Sequence, residues 1–77
     1  METGGIEKSF GKVVRKLRED KGYSQESFAS FVGIDRSYHG RIERGEVSVT
    51  LRMIQSLSKA FGLKTSALLV LVEKLNV

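Results

Sequence analysis

The chain has 77 residues, which is one domain's worth, and a chain this short buries only about 60–65% of its unfolded surface, so a partner subunit would add useful stability. Thirteen basic side chains against nine acidic ones leave a net charge of +4 and favour an anionic partner. The lack of cysteine excludes disulfides and thiolate metal sites. The longest apolar stretch, residues 67–72, is far short of the roughly 20 residues that span a bilayer, and with no signal-like apolar run a cytoplasmic protein is expected.

With no proline and eight glycines placed mostly at segment ends, the chain reads as all-helical with short connections. Residues 1–5 show no buried pattern and form a flexible lead-in to a single domain over residues 6–77. From there Ile6, Phe10, Val13, Val14 and Leu17 recur as one stripe of a helix that ends near Lys21 and Gly22. The opposite face carries Lys8, Lys12, Arg15 and Lys16, a solvated surface that collectively attracts phosphate without reading sequence. Gly22 and Tyr23 form a bend.

Residues 24–45, SQESFASFVGIDRSYHGRIERG, encode two short helices separated by a tight turn. Ser24 caps the first, which runs to about Val32, and Gly33 ends it because glycine takes positive φ cheaply. Asp35 caps the second, which runs to Arg44 and stops at Gly45. Phe28, Ala29 and Val32 share an inner face, and Ile34 and Ile42 bracket the second helix, so both helices lean on one core. The outward positions of the second helix include Arg36, Ser37 and Arg41. Such a face suits the major groove of DNA, where arginine binds guanine O6 and N7 through two hydrogen bonds and serine serves base or phosphate.

Two positions in this helix keep two readings. Tyr38 either meets a thymine methyl or a phosphate, or packs over the turn. Gly40, in mid-helix, costs about 1 kcal/mol relative to alanine, and its missing side chain would permit close approach to DNA. His39 is the only histidine, with no cysteine and no clustered carboxylates to build a metal or nucleophile site. Neither an enzyme nor a cofactor, metal or small-molecule ligand is therefore expected.

Residues 46–49 form a loop, with a brief strand-like alternation at residues 47–49, and Thr50 caps the next helix. Leu51, Ile54, Leu57 and Phe61 line its core face up to Gly62. The last helix, about residues 65–76, begins at a Thr65 or Ser66 cap and carries six successive apolar residues, which cover every side of a helix. That is more than one small core can bury, so part of the helix is expected to face another subunit.

At SQESFA, GIDRSY and IERG the sequence resembles the helix-turn-helix domain of the phage repressor and Cro family, the xenobiotic-response-element family, over about residues 10–63. Its short length and the DRSY and IERG pieces are most similar to controller proteins of restriction-modification systems. The resemblance implies a compact, all-α, five-helix domain of lambda-repressor-like fold. It implies an ion pair between Arg18 and Glu43, partly buried, that locks the first helix to the third. It places Gln25 on the DNA backbone, with Tyr23 and Ser24 close by, and a partly buried His39 among Phe28 and Ile42, where the family usually has Ile or Val. Relatives carry basic residues in the loop after Gly45, where this chain has Glu46, so Arg44, Ser48 and Arg52 become the nearest phosphate contacts.

The resemblance also implies a homodimer through the C-terminal helix, with Leu68, Leu69, Leu71, Val72 and Met53 at the interface. A two-fold dimer sets its recognition helices about 34 Å apart on a pseudopalindromic operator in double-stranded DNA. Arg36 and Ser37 are then the principal base readers, with Arg41 and Tyr38 secondary. Transcriptional activation would need a surface for RNA polymerase, and Glu43 and Glu46 supply acidic residues for one. The competing expectation is an antitoxin or adaptor module on the same helices, in which Arg36 and Arg41 bind an acidic protein.

Overall fold

In the computed structural model, which describes residues 5–76, five helices follow one another: α1 (Ile6–Asp20), α2 (Gln25–Val32), α3 (Arg36–Glu43), α4 (Leu51–Ala60) and α5 (Thr65–Leu75). There is no strand among the described residues, and residues 47–49 are a loop whose two valines pack against the core. Of the expected lead-in, residues 1–4 lie outside the described part, as does Val77 at the other end.

Capping chemistry sets most of the helix boundaries. Ser24 Oγ accepts from the Ser27 backbone N–H and Ser27 Oγ accepts from that of Ser24, both at 3.0 Å, a reciprocal cap at the start of α2. Asp35 accepts from the N–H groups of Ser37 and Tyr38, and Thr50 from that of Met53. Gly33 adopts φ 88° and turns the chain between α2 and α3, which any side chain would resist. Helix α5 departs from expectation: Lys64 occupies its cap position without a side-chain bond, so neither Thr65 nor Ser66 caps it.

The core joins all five helices. Phe28 from α2 stacks on Phe61, just past α4, with centroids 4.9 Å apart and an interplanar angle of 10°. Val14, Ile42, Leu57, Leu68 and Val72 are fully or almost fully buried around them. Leu68 and Val72 therefore correct the interface assignment, because both are spent on the core of their own chain. The same helix turns Val70, Leu71 and Leu75 outward, at 45%, 37% and 49% exposure. Leu69 and Met53 are half-buried, Met53 against the core. Ile6, at the start of the α1 stripe, is half exposed.

Gly11, which hydrophobic periodicity does not single out, sets the distance between α1 and α3. A Cβ there would lie 2.4 Å from the Glu43 carbonyl oxygen and 2.5 Å from that of Ile42, both backbone atoms that cannot swing aside. Gly11→Ala is therefore expected to destabilise by about 1–3 kcal/mol despite alanine's better helix propensity. Thermal denaturation would show it as a fall of about 4–8 °C for each kcal/mol lost. An unchanged Tm would mean that the two helices are free to separate.

Candidate nucleic-acid interface

The expected pair of Arg18 and Glu43 is present, and it is the centre of a larger buried cluster. Arg18 grips the Glu43 carboxylate with two prongs, Nε to Oε2 at 2.6 Å and Nη2 to Oε1 at 3.1 Å, while its Nη1 donates to the Tyr23 carbonyl at 2.7 Å. Gln25 Nε2 donates to Oε1 at 2.9 Å. His39 Nε2 lies 2.6 Å from Oε2. One carboxylate thus ties α1, the bend, the start of α2 and two turns of α3 together. Arg18 and Glu43 are both 8% exposed and His39 is fully buried, so pair and ring lie deeper than the partly buried positions expected of them.

Burial alone would push the Glu43 carboxyl up, but hydrogen bonds from His39, Arg18 and Gln25 outweigh it and hold the group down at about 2. Glu43 is therefore an anion that can only accept, so His39 donates through Nε2. His39 Nδ1 is left as the buried side-chain polar atom without a partner among the described residues. Burial also removes Glu43 from any surface for RNA polymerase. Of the two acidic residues considered for that role, only Glu46 is exposed.

On the far side of α3 lies the polar face. Arg36, Ser37, Gly40, Arg41 and Arg44 recur at three- and four-residue spacing, and with Gln25 they line a shallow hollow of about 260 Å³. Arg36 and Arg41 are exposed and make no hydrogen bond or ion pair among the described residues. Tyr38 is half-buried and packs against the core. Gly40 leaves room for protein: a Cβ there would lie 3.1 Å from Arg44 Nη1 and 3.8 Å from Gln25 Oε1.

The expected phosphate contacts are less free than the base readers. Ser24 and Gln25 are engaged as described, Ser48 Oγ donates to Glu7 at 3.0 Å, and the Tyr23 ring stacks on exposed Phe31 with centroids 5.5 Å apart. Arg44 donates to Glu46 through Nε at 2.8 Å and Nη2 at 3.3 Å.

Two short helices at a glycine turn, the second buried on one side and cationic on the other, define a helix-turn-helix protein. A helix-turn-helix family model matches residues 14–68, and the chain belongs to that family. It is 39% identical over 66 residues to control protein C.MunI of a Mycoplasma species, covering 84% of this chain and 89% of that one. It is 40% identical over 60 residues to the SPbeta prophage-derived HTH-type transcriptional regulator YonR of Bacillus subtilis, covering 78% of this chain but 56% of that longer protein. Among solved structures, the restriction-modification controller protein C.AhdI from Aeromonas hydrophila superposes with a TM-score of 0.74 at 43% identity, covering 79% of this chain and 92% of that one.

Proposed function

We propose that the chain is a sequence-specific DNA-binding transcription regulator that acts in the cytoplasm as a homodimer on a pseudopalindromic operator, as the controller of a restriction-modification system. The observation that carries this reading is the outward stripe of α3, where the side chains of Arg36, Ser37 and Arg41 are exposed and make no hydrogen bond or ion pair among the described residues. The chain's likeness to proteins named as controllers supports the narrower role. No helix among the described residues is long and apolar enough to cross a membrane.

Exposed Val70, Leu71 and Leu75 on α5 support self-association; of the interface expected at Leu68, Leu69, Leu71, Val72 and Met53, Leu71 stays and the buried Leu68 and Val72 drop out. Arg36 and Ser37 read base edges and Arg41 assists, while Gln25 and the start of α2 rest on the backbone. RNA polymerase is the further partner at a promoter. No catalytic step is assigned to the chain.

Selection of bound duplexes from a random pool tests the reading. An enriched pseudopalindrome with half-sites about 10 base pairs between centres is the expected result. A salt titration on random-sequence DNA accompanies it, with affinity falling steeply as salt rises. No enrichment and no salt-dependent binding would transfer the cationic face to an acidic protein partner, as an antitoxin or adaptor would use it.

A further inference from the structure

The α3 stripe contains one arginine that is already occupied. Arg44 presents Nε and Nη2 side by side to the two oxygens of Glu46, the same forked geometry that an arginine offers a phosphate. Both side chains are exposed, at 58% and 48%, so the pair is screened by water and exchangeable. The hydrogen bond from Arg44, with Arg41 and Lys8 close enough to add their attraction, holds the Glu46 carboxyl below its usual range. Gly40 gives the Arg44 guanidinium its place in the stripe, and Gly45, where a Cβ would lie 2.7 Å from Lys8 Cα, sets the loop carrying Glu46 close against α1.

We propose that Glu46 is an internal substitute for DNA phosphate on Arg44, and that it lowers affinity for non-cognate DNA more than affinity for the operator. The inference rests on the DNA-binding function proposed above. A complex with random DNA is held by phosphates alone and shifts freely to use every cation within reach, so an arginine already paired with a carboxylate withholds one cation from it. An approaching phosphate must displace Glu46 and then lie beside its negative charge. Among the described residues Arg36 and Arg41 have no such forked partner, and Arg41 meets the Glu46 charge only at longer range, so the readers of base edges keep their donors free. On the operator those base readers fix the pose, so Arg44 meets a phosphate only where that one pose puts it, without the freedom to shift that random DNA allows.

The test compares the full chain with Glu46→Gln on a random-sequence duplex of about 30 base pairs and on the duplex selected from the random pool, each across a salt series. Freeing Arg44 to neutralise one phosphate per protomer should steepen the slope of log affinity against log salt by about 0.9 per protomer, about 1.8 for the dimer, and tighten random-DNA binding about eightfold per protomer, roughly 60-fold for the dimer, at ~0.1 M salt. Operator affinity should rise less, so the ratio between the two duplexes falls. Adding Arg44→Gln to Glu46→Gln should remove the gain.

An unchanged slope on random DNA would overturn the proposal, as would equal gains on both duplexes or a gain that survives removal of Arg44. If the wild-type chain binds neither duplex, the DNA-binding function itself fails. Wild-type binding with an inert Glu46→Gln sinks only the present inference.

Discussion

Glu43→Ala is expected to lower stability by about 3–5 kcal/mol, a large share of what a domain of this size possesses, whereas Glu46→Ala should barely move Tm. The asymmetry follows from what each carboxylate leaves behind. Without Glu43, the Arg18 guanidinium stays buried and keeps its bond to the Tyr23 carbonyl and a loose ion pair with Glu19 at 3.9 Å, while His39 and Gln25 lose their acceptor. Without Glu46, Arg44 turns to solvent. Equal small losses in paired thermal melts would show that the buried cluster does not hold the domain together.

Acid should reproduce part of the same loss in the wild type. The Glu43 carboxyl is depressed from 4.5 to about 2, so its contribution is complete above 4.5 and vanishes as pH falls through about 2. Roughly 3 kcal/mol of stability should disappear across that window. Chemical denaturation at pH 7 and at successive steps below pH 4.5 measures it, and Glu43→Ala should lose less than wild type over the interval. Parallel acid curves for the two proteins would assign the acid sensitivity to other carboxyls.

Arg36→Ala is the second large effect, and it falls on binding. If Arg36 reads a guanine as proposed, its loss should cost about 1–3 kcal/mol in each half-site, or about 2–6 kcal/mol for a dimer on both, and relax preference at one base-pair position. Tm should not change, because Arg36 is exposed and makes no hydrogen bond or ion pair among the described residues. Lys12→Ala, on α1, should weaken all duplexes alike and leave preference unaltered. Competition assays against single-base variants of the selected duplex separate the two, and the reverse ranking would remove Arg36 from the base readers.

Much of the fold could be read from residues that act locally. Ser24, Asp35 and Thr50 announced their helices because a cap needs only the next few backbone N–H groups, and Gly33 announced the turn. The pairing of Arg18 with Glu43 came from family resemblance, since no local rule connects residues 25 positions apart. That His39 completes the cluster was hidden for the same reason. Gly11 gave a faint signal, a glycine inside a helical stripe, which marks close packing only once the opposing helix is known. The run at residues 67–72 misled because an apolar sequence without phase cannot say which side turns inward. The core took Leu68 and Val72, and left Leu71 and Val70 outside.

The cluster around Glu43 has a mechanical consequence for any duplex this domain holds. With α1, α2 and α3 bolted to a single carboxylate, the reading surface has little give, and a stiff reader cannot mould itself to a poorly shaped site. On the proposed dimer, the cost of fitting would pass to the DNA, which would bend or twist until both halves of the operator met their helices. Base pairs between the half-sites would then be selected for how easily they deform.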